Sequence, residues 1–166
     1  MNRPFAHCPA CGALLPDGGW PRHCGACSRM HFLNPLPVAV LLVPIVGRGI
    51  LTVRRDIEPH RGKLALPGGF IDVEESWGHA AARELREETG VVIEPEAIEL
   101  FDVCSAPDGT VLIFGIAPPL VDDPTADFGG NTEVSELAVV AEPTELAFSL
   151  HTRVLNRWFA STRSNA

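Results

Sequence analysis

The sequence predicts an α/β domain preceded by a small cysteine-rich module, and three observations predict it. Short apolar runs separated by Gly and Pro turns begin at Val38, as strands do. A helix-periodic stretch with a capping residue at each end runs between them, from Ser76 to Gly90. Four of the five cysteines stand in two Cys-x-x-Cys pairs within residues 1–34. A chain of 166 residues suffices for one core-bearing domain, residues 35–166, and this appendage.

The connector Asn34-Pro35-Leu36-Pro37 is stiff, and its prolines forbid a helix there. Residues 38–46 read as a strand, Gly47-Arg48-Gly49 as a hairpin turn and residues 50–54 as the partner strand. Residues 59–63 form a loop, residues 64–66 a short strand, and Pro67-Gly68-Gly69 a sharp corner. Ser76 is the N-cap of a helix that runs to Thr89, with Gly90 in the C′ position. Residues 91–93, 98–104 and 111–116 read as strands, the last two joined through Pro107-Asp108-Gly109. A polar loop over residues 120–132 precedes a strand at 136–141. A final helix, for which Ser149 is a candidate cap, carries Val154, Leu155, Trp158 and Phe159 on one face, and the tail frays after Ser161.

The formal net charge of -8 argues against a nucleic-acid scaffold, which carries a basic patch. It suits a protein that gathers carboxylates around cations, with plain solubility as the ordinary alternative. The longest apolar run, from Val38 to Val43, is far too short to span a bilayer, so no membrane partner is expected. The first seven residues lack an apolar signal-peptide stretch, and a cytoplasmic address follows by default.

The chemistry concentrates in the helix. At about 100° per residue, Glu84, Glu87 and Glu88 project to one face. Ala81, Ala82, Leu85 and Thr89 lie to one side and can pack on a sheet, while Arg83 and Arg86 take the other flank. A solvated acidic face is the ordinary reading of such a run, and it fits badly here. Anions in the last turns oppose the helix dipole, and Glu84 and Glu88 repel each other at i,i+4. Pairing of Arg83 with Glu87 offsets part of this, and a hard divalent cation would offset the rest.

The segment from Gly69 to Val91 resembles the Nudix box, G-x5-E-x7-R-E-U-x-E-E-x-G-U, where U is a bulky aliphatic residue. Gly69, Glu75, Arg83, Glu84, Leu85, Glu87, Glu88, Gly90 and Val91 meet every fixed position. The resemblance extends over residues 36–160 and includes Leu66-Pro67-Gly68-Gly69. It implies an α/β/α sandwich with a mixed sheet, and hydrolysis of a nucleoside diphosphate linked to another group. It also implies that Glu84, Glu87 and Glu88, joined by the Gly69 carbonyl, bind catalytic Mg²⁺ or Mn²⁺. Glu75 and Arg83 would orient the helix and its carboxylates. The proton acceptor is one of the clustered glutamates or a loop glutamate, with Glu133 and Glu136 after the Gly129-Gly130-Asn131 hinge as candidates. An ordinary polar surface loop is the alternative for that segment.

Cys8-Pro-Ala-Cys11 and Cys24-Gly-Ala-Cys27 are separated by twelve residues. Such knuckles place four thiolates around a structural Zn²⁺ as a zinc ribbon, with a redox pair or two disulfides as alternatives. His7, His23 and His31 lie nearby, but four cysteines complete the site. Cys104 has no partner in the sequence and is expected in a buried strand.

Two Nudix subgroups join a zinc ribbon to the box. NADH pyrophosphatases carry a Ser-Gln-Pro-Trp-Pro-Phe-Pro run after it, which is missing from residues 101–109 here. Bacterial proteins similar to plant FAD and ADP-ribose pyrophosphatases resemble this chain more. The likeness lies in His31-Phe32-Leu33-Asn34-Pro35, in residues 62–69 and in Glu145-Leu-Ala-Phe-Ser149. Arg54 and Arg55 are candidate phosphate contacts or members of surface salt bridges. Phe70 or Phe32 is a candidate to stack on adenine, or a core residue. The leading expectation is therefore a small-molecule nucleotide substrate, ADP-ribose or FAD. Cleavage of NADH or NAD-capped RNA is a second reading. A ligand sensor on a DNA-binding module is a third, although sensors tend to lose box glutamates. Family analogy alone suggests a homodimer.

Overall fold

The computed structural model describes residues 6–163 and resolves the chain into two units, Met1–Pro35 and Leu36–Ala166. In the first unit, strand β1 (Arg22–His23) pairs antiparallel with β2 (Met30–His31). The two cysteine pairs sit in knuckles of the same design. The Cys8 carbonyl accepts the Gly12 N–H at 2.8 Å, and the Cys24 carbonyl accepts the Ser28 N–H at 2.9 Å. Gly12 and Ser28 both adopt positive φ, 76° and 58°. Among the described residues, the apolar core of this unit is little more than Cys8, Leu15 and Cys24, with Ala13, Trp20 and Cys27 against them. That is too little to hold a fold without a crosslink or metal.

The second unit contains two four-stranded sheets. Strand β3 (Leu36–Leu42) is followed by β4 (Pro44–Ile45), β5 (Gly49–Arg55), β6 (Leu64–Ala65) and β7 (Gly68–Phe70). Helix α1 (Trp77–Thr89) and a 3-10 turn (Pro95–Ala97) come next. The chain ends with β8 (Glu99–Ser105), β9 (Thr110–Ile116), β10 (Val134–Val140) and α2 (Ser149–Arg163). One sheet is mixed, in the order β7-β3-β9-β8, with β3 and β9 parallel. The other is antiparallel, in the order β10-β5-β4, with β6 also on β5.

Residues 38–46 are therefore not one strand. β3 pairs with β9 as far as Leu42 and Ile116, whereas Pro44 and Ile45 pair with β5 in the other sheet. Proline has no N–H to continue a ladder, so the chain changes sheets at Val43. Two more expectations are corrected. The Pro67-Gly68-Gly69 corner continues into β7, which pairs Gly68–Phe70 with β3. Residues 91–93 form no strand: Val91 and Ile93 pack on the core and Val92 is exposed, an alternation without a sheet edge to join. The helix boundaries and both caps are as expected. Ser76 accepts the His79 N–H, and Gly90 at φ 77° returns its N–H to the Arg86 carbonyl.

The period-2 alternation of β3 builds two cores. Ala39, Leu41 and Val43 face Ala80, Ala81 and Leu85 of α1. Val40 and Leu42 join Cys104, Phe114, and Val154, Leu155 and Phe159 of α2. The layering is thus of α/β class, with a helix serving each core. Burial of Leu85 alone is worth about 2–5 kcal/mol against alanine. Among the described residues, no helix is long and apolar enough to cross a membrane.

Candidate active site

A cleft of about 1000 Å³ opens in the second unit, and Gly69, Arg83, Glu84, Glu87 and Glu88 all line it. The helical spacing brings the three glutamates to one face, but at three depths. Glu88 is buried at 8% exposure, the Glu84 side chain retains 14% and that of Glu87 52%. They reach this cleft because α1 packs through its alanines and Leu85, which rolls Glu88 toward β7.

Strand β7 is shaped to receive these carboxylates. The Gly68 N–H donates to Glu88 Oε2 at 2.9 Å. Gly68 sits at φ 152°, and a Cβ there would lie 2.2 Å from the Ala39 carbonyl oxygen, so only glycine fits. A Cβ on Gly69 would lie 2.4 Å from the Glu84 carboxyl carbon. The backbone and the carboxylate approach each other through that gap.

Arg83 organises the rest. Its guanidinium donates to Glu75 through Nε at 3.0 Å and Nη2 at 2.9 Å, a bidentate fork. Nη1 reaches Glu84 at 2.8 Å and Glu87 at 3.3 Å, and Nη2 also meets the Phe70 carbonyl at 3.0 Å. Hydrogen bonding to Arg83 holds the Glu75 carboxyl below its ordinary range. Glu84 and Glu88 are pushed the other way. Burial raises Glu84 against the pull of Arg83, with Glu87 and Glu133 adding repulsion. Burial raises Glu88 to about 8, opposed by the Gly68 N–H and by Arg55, and reinforced by Glu84 and Glu133. A buried carboxyl accepting one backbone N–H, beside further carboxylates and an open backbone edge, is a hard-oxygen donor set short of positive charge. The chemistry of these donors suits a divalent cation, and Arg83 orders Glu84 and Glu87.

The loop candidates separate. Glu133 lines the cleft and acts on both Glu84 and Glu88. Glu136 is exposed and pairs with Arg54 at 2.5 Å across the β5–β10 ladder. Arg54 is occupied by that pair and by the Gly62 carbonyl. Arg55, on the opposite face of β5, lines the cleft, bonds the Pro59 carbonyl at 2.8 Å and lies over the Phe148 ring at 5.1 Å. Phe70 also lines the cleft and is exposed, whereas Phe32 is an exposed residue of the first unit.

Three residues at the site escaped the sequence reading. Asn131 donates to the Glu87 and Glu88 main-chain carbonyls and accepts the Glu133 and Val134 N–H groups. His151 lies on the buried face of α2, where Nδ1 accepts the Leu66 N–H at 3.3 Å. Burial, with Arg55 assisting, lowers its pKa to about 3. Phe148 packs against His151 at 5.0 Å and His60 at 5.3 Å. An asparagine after a Gly-Gly pair is the one sequence signal that marked a turn of this kind.

In the first unit the four Sγ atoms of Cys8, Cys11, Cys24 and Cys27 lie within 4.8 Å of one another. Cys8 and Cys27 are 3.6 Å apart and Cys11 and Cys24 3.7 Å, too far for S–S bonds. Thiolates at 2.3 Å from a tetrahedral Zn²⁺ stand about 3.8 Å apart, so the set can hold that ion. Cys104 is buried in β8, as its strand position suggested.

Residues 35–159 match the family model described as the NUDIX domain. A protein named ADP-ribose pyrophosphatase from Methanocaldococcus jannaschii is 42% identical over 59 residues, 36% of this chain and 34% of that one. A Nudix hydrolase named NudL from Klebsiella pneumoniae, described as uncharacterised, is 37% identical over 55% of this chain and 57% of its own. The chain therefore spans between a third and somewhat over half the length of these curated relatives. The crystal structure of a NUDIX hydrolase from Nitrosomonas europaea superposes with a TM-score of 0.78 at 28% identity, covering 96% of this chain and 93% of that one.

Proposed function

The chain belongs to the Nudix family, and from that premise we propose that it is a pyrophosphohydrolase acting on a nucleoside diphosphate joined to a second moiety, with ADP-ribose or FAD as the leading substrates. One observation carries the reading: Glu84, Glu87 and Glu88 share a single cleft with Gly69 and Arg83, and that cleft has room for a dinucleotide-sized ligand. The name of the Methanocaldococcus jannaschii relative favours ADP-ribose.

In this reading Glu84, Glu87, Glu88 and the Gly69 carbonyl hold Mg²⁺ or Mn²⁺. When bound, the cation neutralises diphosphate charge and makes a water molecule a better nucleophile. Arg83 fixes the carboxylates through its fork to Glu75 and its bonds to Glu84 and Glu87. Glu133 accepts the proton of the attacking water, since it faces the carboxylates while Glu136 is taken up by Arg54. Arg55, which lines the cleft beside Phe148, meets phosphate oxygens. In the cysteine unit, Cys8, Cys11, Cys24 and Cys27 hold a structural Zn²⁺.

The test is a panel of ADP-ribose, FAD, NADH and nucleoside-diphosphate sugars with Mg²⁺ or Mn²⁺, read by product identity. AMP should appear from ADP-ribose and FAD. Glu87→Gln, at an exposed side chain, should lower turnover on the order of 10²-fold with unchanged circular dichroism. Absence of turnover of every pyrophosphate by metal-loaded protein would reject the proposal.

A further inference from the structure

The carboxylates line only part of a cleft far larger than two phosphates need. His60, Phe148 and Ile57 line it as well. The segment between β5 and β6 contributes Ile57 and His60 to the lining, and Phe148, just before α2, lies against His60. That segment is closely bonded. Arg55 Nε donates to the Pro59 carbonyl at 2.8 Å, Arg61 Nε to Asp56 at 2.9 Å, and the Gly62 N–H to the Arg55 carbonyl at 2.8 Å. The Asp56 N–H reaches the Glu133 carbonyl at 2.7 Å, tying this lip to the loop beside the carboxylates.

His60 is held at φ 65°, a left-handed conformation that non-glycine residues seldom adopt. Its exposed ring meets Phe148 edge-on at 5.3 Å and 84°. Phe148 is only half buried, and Ile57 is 37% exposed. Two rings and an aliphatic side chain at an open cleft wall offer flat apolar contact, which suits a heteroaromatic ring better than a sugar. The Arg55 guanidinium lies over Phe148 at 5.1 Å, and its field also reaches Glu88. Arg55 thus stands between the Phe148 ring and Glu88.

We propose that His60, Phe148 and Ile57 form the subsite for the heteroaromatic base of the substrate, with Arg55 marking the junction where the base-bearing half gives way to the diphosphate. The order along the cleft is then base, Arg55, diphosphate, carboxylates. The direction of the diphosphate rests on the hydrolase reading above, while the ring subsite is testable without turnover.

The experiment compares AMP with ribose 5-phosphate by calorimetric titration in Mg²⁺-free buffer, using the full chain. Wild type should bind AMP about tenfold or more tighter than ribose 5-phosphate, the margin of one base stack. Phe148→Leu should remove most of that margin. Phe148 also touches the core, so His60→Asn provides a second variant whose exposed side chain and tolerance of positive φ preserve the fold. It should reduce the margin about threefold, and in turnover it should raise KM for ADP-ribose more than it lowers kcat. Equal binding of AMP and ribose 5-phosphate to wild type, or an unchanged margin in both variants, overturns the subsite. A preserved AMP margin in protein that hydrolyses no pyrophosphate would sink the hydrolase reading and leave the base subsite standing.

Discussion

The side-chain amide of Asn131 donates to the main-chain carbonyl of Glu87 at 3.0 Å. The same amide reaches the Glu88 carbonyl at 3.2 Å, and its oxygen accepts the Glu133 N–H at 2.9 Å. One side chain thus satisfies carbonyls that the end of α1 leaves open and holds Glu133 against the helix that carries the other carboxylates. Asn131→Ala should lower kcat about 10–100-fold with a smaller change in KM. Asn131→Asp keeps the acceptor but loses the donor and sets a charge against helix C-terminal carbonyls. It should be the less stable of the two in thermal melts. Equal kcat in wild type and both variants would remove Asn131 from the site.

Gly69→Ala tests the close approach of β7 and Glu84. The new methyl would arrive 2.4 Å from the Glu84 carboxyl carbon, so that carboxylate must move. Stability should fall by about 1–3 kcal/mol, while kcat should fall on the order of 10²-fold, as a misplacement of about 1 Å at a reacting centre does. Chemical denaturation and steady-state kinetics on the same preparation separate the two effects.

Glu88 makes the metal-free protein sensitive to alkali. Its folded pKa of about 8 lies above the ordinary 4.5, because burial disfavours the charged form. The folded chain therefore holds a proton that the unfolded chain releases. This contribution to stability is complete below pH 4.5 and is lost as pH rises through about 8. Glu88→Gln should flatten that loss in thermal melts recorded without divalent ions. Added Mg²⁺ should raise the wild-type Tm more at pH 9 than at pH 6, since a proton and a cation compete for the carboxylate. Identical pH profiles for wild type and variant would contradict the assignment.

His151 acts in the opposite direction. Its pKa falls from 6.5 to about 3 because burial, with Arg55, excludes the imidazolium. The stability it confers is present above pH 6.5 and is lost as pH falls through about 3. His151→Leu leaves the buried Leu66 N–H without its acceptor and should cost about 1–3 kcal/mol at pH 7.5. The gap to wild type should narrow at pH 4–5, where the histidine itself becomes a liability. A gap that widened in acid would count against this account.

The cysteine unit should answer to chelators. With a core, among the described residues, of scarcely more than Cys8, Leu15 and Cys24, it should depend on a bound ion for its fold. Elemental analysis should find one Zn²⁺ per chain in wild type and none in Cys24→Ser. A strong zinc chelator should abolish the order of this unit, followed by amide exchange, and leave α1 and α2 protected. Full protection of residues 8–27 without zinc would refute the metal's structural role.

Much of the second unit was legible before any coordinates, because the signals that specify it are local. Ser76 and Gly90 bracket α1 through capping chemistry, and the spacing of Glu84, Glu87 and Glu88 follows from helix geometry. The paired cysteines announce four converging thiolates by spacing alone. What stayed hidden depends on which segments meet. The apolar run from Val38 did not reveal that Pro44 sends the chain into a second sheet, since hydrophobic periodicity carries no label for its partner strand. Arg54 and Arg55 read alike as neighbours. Successive strand residues point to opposite faces, and the β5–β10 register then gives Glu136 to Arg54 while Arg55 faces the cleft.

By itself, then, the sequence determined the helix that bears the glutamates, its caps and the chemistry those side chains share, because each depends on residues within a few turns of one another. Only the tertiary structure decided that Glu88 is buried while Glu87 stays in water, that Asn131 joins Glu133 to α1, and that His60, Phe148 and His151 meet in one wall. These are contacts between segments far apart in the chain, and packing of whole elements, not local preference, sets them.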